Sequence, residues 1–437
     1  MVPVIAIFDI GKTNKKFFLF NENYKIVEAL SVNFPETEDE DGFPCDDVLA
    51  LSEWVIDTLK AFTSGAVYDI KAINFSAYGA SFVHLDQYNS PIAPLYNYLK
   101  PYDPALEEKF YNSYGAKDSL AVSTASPSLG NLNSGLQLYA LKYSKPALYE
   151  KITTSLHLPQ YLSFLVSGKK YSDITSIGCH TALWDFDKKN YHAWVEQEGI
   201  DKKLAPIFSS TAAIDIMFDG KPLKCGIGLH DSSAAFIPYI KNINEPFLLI
   251  STGTWSISMN AYNNAPLTKE ELERDCLCYM TFEGGTVKSS RLFAGYAHEQ
   301  VTKKMAAHFN VASNYYDKIA YDHNLLREEP ELATLDAFEP GGYSSYEEAY
   351  LNFIQHLVDA QKRSTDLVLN DQVKNIFVDG GFAKNEAYMQ LLAKAYPQVK
   401  VYAASVSQAT AIGAAMAIHK EWNPLQLPGN VVSKKAY

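Results

Sequence analysis

Residues 4–20 read VIAIFDIGKTNKKFFLF, and the order of residue types in this stretch is unusual. An apolar run leads directly into Asp9 and Gly11, a short polar cluster follows, and a second apolar run begins at Phe17. The pattern predicts two β-strands joined by a tight turn. A buried strand that ends on a carboxylate and a glycine needs a reason beyond turn formation.

The residues that follow predict an α/β domain. A third strand-like run occupies residues 26–33, and a further strand is predicted at 72–79. Between them, the apolar residues Val48, Leu51, Val55, Leu59 and Phe62 recur at helical spacing, with acidic residues before them and Gly65 after them. Strands, then a helix, then another strand are the usual succession in α/β domains.

The second half of the chain repeats the opening pattern. Residues 245–260, EPFLLISTGTWSISMN, again contain an apolar strand, a polar turn centred on glycine and an alternating strand. The echo predicts two related α/β domains, residues 1–243 and 246–437. The region from about 100 to 220 is mixed, with helical stretches predicted near 132–151 and 157–167.

Composition restricts the class of protein. The chain has 437 residues, 47% hydrophobic and 20% charged, which is typical of a soluble globular protein. Its net charge of -12 argues against a nucleic-acid surface, although backbone N–H groups can still bind a phosphate locally. The five cysteines are scattered, and the pair Cys276 and Cys278 lacks metal-site spacing. We expect a cytoplasmic protein with free thiols and no membrane partner.

Three glycine turns follow apolar strands, at Gly11, at Gly253 and at Gly380–Gly381. One such turn is ordinary in a hairpin, but three in this order favour phosphate binding. Glycine lets the backbone approach an anion, and adjacent N–H and hydroxyl groups can donate to phosphate oxygens. A carboxylate at the same place would repel phosphate, so Asp9 implies a Mg²⁺ ion, held through water.

The succession of the three turns resembles the sugar-kinase, Hsp70 and actin superfamily and, within it, the FGGY carbohydrate kinases. The resemblance covers nearly the whole chain, and the His-Asp pair at 230–231 and Gly-Thr-Trp at 253–255 look most like the rhamnulokinase subfamily. It implies two actin-like ATPase (ribonuclease H-like) domains with the active site in the cleft between them. It also implies ATP and Mg²⁺ as cofactors and a ketose as substrate. The blocks that carry it are residues 73–98, 157–186, 225–238, 250–260 and 378–417.

The resemblance assigns the sugar site to five residues. Asp231 would accept the proton of the sugar hydroxyl, whereas the simpler interpretation of the same residue is a helix N-cap. His230, Ser232 and Gly79 would lie against the sugar. Tyr78 would lie there too, at a position where rhamnulokinases usually carry tryptophan.

The resemblance assigns the nucleotide site to the glycine turns and the helices after them. Lysine and asparagine stand in the first turn where the family usually has small hydroxyl residues, and Lys16 replaces a common arginine. Arg291 is either substrate-facing or an ordinary surface residue. The predicted nucleotide contacts are Gly11, Lys12, Thr13, Asn14, Lys16, Gly253, Thr254, Gln300, Gly380, Gly381 and Asn385, with Asp9 near the metal.

Two classes of function follow from the sequence. The first is an ATP-dependent kinase that converts a ketose into its phosphate. L-rhamnulose is the first candidate for this ketose, and L-fuculose, xylulose or another pentulose is the alternative. The second is a non-catalytic superfamily member, either an actin-like assembly protein or a sugar-sensing regulator. A regulator often adds a DNA-binding helix pair at its N-terminus, and it can dispense with Asp231. The sequence therefore favours the kinase, with a sugar and ATP as its partners.

Overall fold

The computed structural model describes residues 1–328, 330 and 332–437. The first half of the chain builds a seven-stranded sheet around a central strand that pairs antiparallel with the strand after it and parallel with a later one. Its strands are β1 (Val2–Ile10), β2 (Lys15–Asn21), β3 (Ile26–Val32), β6 (Tyr68–Ala77), β13 (Ala213–Phe218), β14 (Lys221–Gly226) and β15 (Leu229–His230). They are ordered β13-β14-β6-β1-β2-β3, with β15 beside β6.

Shorter strands form two-stranded ribbons next to this sheet. They are β4 (Thr37–Glu38) with β5 (Pro44–Cys45), β7 (Phe82–Leu85) with β8 (Thr154–His157), β9 (Ser172–Asp173) with β12 (Ile207–Phe208), and β10 (Trp184–Asp185) with β11 (Asn190–Tyr191). The helices of the first half are α1 (Val48–Ser64), α2 (Pro104–Tyr114), α3 (Lys117–Ser123), α4 (Ser134–Ser144), α5 (Pro146–Lys151), α6 (Leu158–Ser167), α7 (Ile174–Ile177), α8 (Ala193–Gln197) and α9 (Asp231–Asn242).

Local sequence explains where these helices begin and end. The carboxylate of Asp47 accepts hydrogen bonds from the first backbone N–H groups of α1, and Gly65 follows the last turn. Leu51, Val55 and Leu59 on its inner face are buried in the core of the first sheet. The region predicted as helical near 132–151 contains two helices, α4 and α5, because the ring of Pro146 fits the start of a helix and not its interior.

The second half repeats the arrangement of the first. Its central strand also pairs antiparallel with the next strand and parallel with a later one, and the order is β18-β19-β17-β16-β20-β21-β22. The strands are β16 (Phe247–Thr252), β17 (Ser256–Asn260), β18 (Cys276–Met280), β19 (Thr286–Leu292), β20 (Asn375–Gly380), β21 (Lys400–Ser405) and β22 (Ser433–Ala436). The helices are α10 (Lys269–Glu273), α11 (Ala294–Phe309), α12 (Tyr346–Asp366), α13 (Glu386–Ala395), α14 (Ala409–Ala417) and α15 (His419–Trp422).

Helices α9 and α14 lie between the two sheets and join them. An added Cβ at Gly413 on α14 would lie 1.8 Å from the carbonyl oxygen of Ala234 on α9, so the two helices meet backbone to backbone. One hydrophobic cluster contains Ile7 of the first sheet and Leu249 of the second together with residues of both helices. The two halves therefore share a continuous core, and residues 243–246, where the sequence predicts the domain boundary, form the short link between α9 and β16.

Two predictions about the chemistry of the whole chain can be compared with the structure. All five cysteines are free and buried. Among the described helices, none combines the length and the apolar character that crossing a membrane requires.

Candidate active site

The first glycine turn is the connection between β1 and β2. The backbone N–H of Gly11 donates to the carbonyl oxygen of Asn14 at 3.0 Å, which closes the turn. An added Cβ at Gly11 would lie 3.1 Å from that oxygen, so the close turn favours glycine. Asp9 lies opposite Lys16 in the register of the two strands, and Thr13 and Asn14 are exposed at the tip. The sequence prediction of this turn is correct.

Asp9 lies at the end of β1, where the first sheet meets the second half of the chain. Its Oδ2 accepts a hydrogen bond from the hydroxyl of Thr410, on α14, at 2.7 Å. Burial raises the pKa of the Asp9 carboxyl to about 6, and the negative charge of Asp231 adds to the rise. These two carboxylates are therefore close enough to repel each other.

Asp231 is the first residue of α9. His230 occupies the N-cap position, and the carboxylate of Asp231 accepts hydrogen bonds from the N–H and hydroxyl of its neighbour Ser232, at 2.6 and 3.2 Å. The interpretation of Asp231 as the helix cap is therefore wrong. About a third of its side chain, 32%, is exposed, yet burial of the carboxyl group raises its pKa to about 6. The positive end of the α9 dipole favours the ionised form in the same place.

His230 lies between Asp231 and Gly79. Its Nε2 is 3.4 Å from Oδ1 of Asp231 and 3.3 Å from the sulfur of Cys179. Burial lowers the pKa of the imidazole to about 4, so the ring is neutral at physiological pH. An added Cβ at Gly79 would lie 2.8 Å from the ring, which explains the glycine. The structure thus brings together the predicted residues Gly79, His230, Asp231 and Ser232.

Lys12 and Tyr78 meet at a carboxylate that sequence reasoning missed. Asp46 Oδ2 accepts hydrogen bonds from the Lys12 ammonium at 2.8 Å and from the Tyr78 hydroxyl at 2.6 Å. Its Oδ1 accepts from the buried Lys15 ammonium at 2.7 Å. Burial by itself would raise the pKa of Asp46, but the hydrogen bonds from the two lysines hold it below its usual value. Lys12 also pairs with Glu36 at 3.0 Å, so its charge is balanced by carboxylates of the protein.

The second half contains a cavity of about 470 Å³ at the ends of β16 and β20. Three of the predicted nucleotide residues line it: Gly253, Gly381 and Asn385. Thr254, Gly380 and Gln300 are not among the lining residues. Helix α11 contributes two residues that are three positions apart and therefore share one face of the helix. Aromatic and polar side chains form the other walls. These further lining residues include Thr252, Gly295, His298, Tyr316, Phe382 and Lys384.

Thr252 joins the second and third glycine turns into one unit. Its hydroxyl donates to the carbonyl oxygen of Asp379 at 2.6 Å, and its carbonyl oxygen accepts from the N–H of Gly381 at 3.1 Å. Gly380 has a φ of +93°, and an added Cβ there would lie 1.9 Å from the Thr252 carbonyl oxygen. Gly295 approaches the Gly253 carbonyl oxygen equally closely, at 1.9 Å from its ideal Cβ. These glycines are required by close backbone packing as well as by the cavity.

A neutral aromatic wall closes one side of this cavity. Burial lowers the pKa of His298 to about 4, and its ring makes edge contacts with Tyr316 and Phe382 at centroid distances of 4.9 and 5.4 Å. The Asn385 amide donates to the Tyr350 hydroxyl at 2.6 Å, and its oxygen caps α13. Sequence reasoning missed His298 because helical spacing does not reveal which face of α11 borders a cavity.

Helix α9 connects the two parts of the site. The Tyr239 hydroxyl donates to Asp379 Oδ2 at 2.5 Å, directly before the third glycine turn. Tyr239 follows Asp231 by eight residues on the same helix, which corresponds to about 12 Å along its axis. Arg291 is held by Asp275 at 2.8 Å and lies over the Trp255 ring at 5.3 Å from its centroid.

The donor set suits a magnesium ion that is bound mainly by a substrate. Within residues 1–328, 330 and 332–437, no three His, Cys, Asp or Glu side chains are grouped as metal ligands. Mg²⁺ commonly keeps several waters and uses one or two carboxylates together with substrate phosphates. The half-buried Asp9 carboxylate, with one oxygen bonded to Thr410, fits that description.

Comparison with known proteins agrees with this geometry. Residues 4–228 match the N-terminal domain of the FGGY family of carbohydrate kinases, and residues 244–425 match the C-terminal domain of carbohydrate kinase FGGY. The chain belongs to the FGGY family. The FGGY resemblance inferred from the sequence and the predicted two-domain, actin-like ATPase fold are both confirmed.

Individual relatives are distant. A rhamnulokinase from Oceanobacillus iheyensis is 24% identical over 410 residues, covering 86% of this chain and 83% of its own. A carbohydrate kinase structure from Novosphingobium aromaticivorans superposes with a TM-score of 0.80 at 21% identity, covering 99% of this chain and 94% of the other. Ligand-bound xylulose kinase from Lactobacillus acidophilus gives a TM-score of 0.76 at 15% identity, covering 100% and 94%.

Proposed function

We propose that this FGGY protein is an ATP-dependent kinase that phosphorylates a ketose, with L-rhamnulose, giving L-rhamnulose 1-phosphate, as the first candidate. Membership of the family supports transfer of a phosphoryl group to a sugar hydroxyl. The rhamnulokinases among the relatives support the choice of sugar. Xylulose kinases among the structural neighbours keep L-fuculose, xylulose and other pentuloses as alternatives.

The position of Asp231 is the observation that carries the proposal. Its carboxylate is partly exposed beside His230 and lies on α9, whose Tyr239 contacts Asp379 directly before the third glycine turn. A pKa of about 6 suits a general base near neutral pH, since the group is ionised there and still binds a proton well. An ordinary surface carboxylate would be a weaker base.

In the proposed reaction, Asp231 accepts the proton of the sugar hydroxyl as its oxygen attacks the γ-phosphorus of ATP. A bond forms between that oxygen and phosphorus, and the bond from phosphorus to the β–γ bridging oxygen breaks, which releases ADP. The proton on Asp231 then passes to solvent. The neutral ring of His230 lies beside the Asp231 carboxylate, with Nε2 at 3.4 Å from Oδ1, and Gly79 leaves room for the ring.

The residues of the second half hold the nucleotide. Gly253 and Gly381 line the cavity, where the absence of a side chain lets a phosphate approach the backbone closely. The neutral ring of His298 with Phe382 and Tyr316 offers an uncharged wall for a purine base. Thr254, Gly380 and Gln300 remain predicted contacts.

The metal would bind beside the residues of the first glycine turn. Mg²⁺, when bound with the nucleotide, neutralises the phosphate charge that would otherwise repel the attacking oxygen. Asp9 would hold it through water, and the positive ion would also reduce the repulsion between Asp9 and Asp231. Lys16 supplies a positive charge beside Asp9, whereas Lys12 is paired with Asp46 and Glu36.

A coupled assay of ADP release tests the proposal. The purified protein is incubated with MgATP and a panel that contains L-rhamnulose, L-fuculose, D-xylulose and L-ribulose, and the product is identified by ³¹P NMR. We expect rapid ADP release with one ketose and a phosphate ester on its terminal hydroxyl. ATP binding without turnover on any sugar would refute the kinase and favour the non-catalytic alternative.

A further inference from the structure

Residues at the start of α14 contact both strands of the first glycine turn. The hydroxyl of Thr410 donates to Asp9 at 2.7 Å, and two residues earlier the Gln408 side-chain oxygen accepts from the Lys16 ammonium at 3.3 Å. Asp9 and Lys16 face each other across β1 and β2. Residues 408–410 of the second half therefore bind Asp9 and Lys16 of the first half, which are about 400 residues away in the chain.

Backbone packing fixes the place of Thr410. Helix α14 lies so close to α9 that only glycine fits at position 413, and the amide of Asn74 donates to the Ala414 carbonyl oxygen at 2.8 Å. Before the helix, Gln408 has a φ of +54°, a left-handed conformation that non-glycine residues rarely adopt. The backbone of the segment is thus held at both ends, which keeps Thr410 beside Asp9.

A hydroxyl bonded to one oxygen of a carboxylate determines the direction of the other oxygen. Residues that hydrogen-bond to metal-binding groups in this way orient them and strengthen metal binding. On the basis of the proposed function, we propose that Thr410 is a positioning residue. Its hydroxyl holds Asp9 Oδ2, so that Oδ1 is presented to the water shell of the magnesium–nucleotide complex. The second half thereby contributes to the metal site of the first.

Direct binding of a metal–nucleotide complex tests this role. Mn²⁺, which electron paramagnetic resonance detects, is titrated into the full-length protein with saturating ADP and no sugar. We expect Thr410→Val, which keeps the shape but lacks the hydroxyl, to weaken Mn²⁺ binding by about 10–100-fold. Thr410→Ser, which keeps the hydroxyl, should bind as the wild type does. Thr63→Val is the matched control, because it removes a buried hydroxyl bonded only within α1.

The outcomes separate positioning from a structural role. Wild-type Mn²⁺ affinity in Thr410→Val, or equal losses in Thr410→Val and Thr410→Ser, would overturn the inference. If Thr410→Val lowers the melting temperature more than Thr63→Val does, Thr410→Ala provides a second variant without the hydroxyl and must show the same loss of affinity. If the wild type itself binds no Mn²⁺–ADP, the proposed kinase function is wrong, and this inference falls with it.

Discussion

Replacing Asp231 by asparagine tests the assignment of the general base most directly. The amide keeps the size of the side chain, but it cannot accept the proton of a sugar hydroxyl. General-base catalysis typically contributes about 10²–10⁴-fold, so we expect kcat to fall by a factor in that range. ATP binding should be unchanged, because the nucleotide cavity lies at the other end of α9.

The same substitution has a predictable effect on stability. A rise of the Asp231 pKa from 3.8 to about 6 corresponds to about 3 kcal/mol for a fully enclosed group. Because 32% of the side chain is exposed, we expect the cost of the ionised form at pH 8 to be about 1–2 kcal/mol. A raised pKa means that this group favours the folded state only at low pH and loses that contribution as pH rises through about 6. Asp231→Asn should therefore be at least as stable as the wild type at pH 8.

The assays are steady-state kcat on the best ketose, ATP affinity by calorimetry, and urea unfolding at pH 8. A large loss of kcat with unchanged ATP affinity and equal or greater stability is the expected combination. Turnover close to that of the wild type would refute the assignment. A clear loss of stability at pH 8 would refute the argument from burial, since that argument makes the ionised carboxylate a net cost to the folded state.

Three further outcomes follow from the structure. With saturating Mg²⁺ and ATP, kcat/KM should fall as pH is lowered through about 6, because protonated Asp231 cannot act as a base; a flat profile from pH 8 to 5 would contradict this. Gly380→Ala should lower the melting temperature, because the φ of Gly380 is +93° and the new methyl would lie 1.9 Å from the Thr252 carbonyl oxygen. The matched variant Gly381→Ala has space for the methyl and should leave the melting temperature unchanged. Equal effects of the two variants would contradict the packing argument. Lys15→Met should reduce the free energy of unfolding by about 3 kcal/mol in urea titrations, because it leaves the buried Asp46 carboxylate without one of its two lysine partners. A loss below about 1 kcal/mol would show that Lys12 alone balances the charge of Asp46.

Local patterns were sufficient to predict much of the fold. The alternation of strands, glycine turns and helices, and the echo between residues 4–20 and 245–260, predicted the two similar sheets. His230, Asp231 and Gly79 were predicted to lie together because they stand in blocks that resemble the FGGY family, and the structure places them in contact. The break between α4 and α5 was missed, although Pro146 is a visible signal for it.

The residues that sequence reasoning missed are those whose role depends on distant partners. Asp46 resembles an ordinary acidic residue before a helix, and only the folded chain places it against Lys12, Lys15 and Tyr78. Thr410 lies inside a helical run of small residues, with no local sign of its contact to Asp9. Spacing in a single sequence cannot reveal such pairs, because the pairing is made by the topology.

The contact between Gly413 and Ala234 sets the distance between α9 and α14, where the two halves of the chain meet. The chain passes from its first half to its second directly after α9, and α14 of the second half packs against that helix. One methyl group at position 413 would force the helices apart, since its carbon would lie 1.8 Å from a carbonyl oxygen. The separation of these two helices is thus determined by a residue that is not among the predicted sugar or nucleotide contacts. A larger residue at position 413 would shift the two halves relative to each other while leaving every predicted binding residue unchanged.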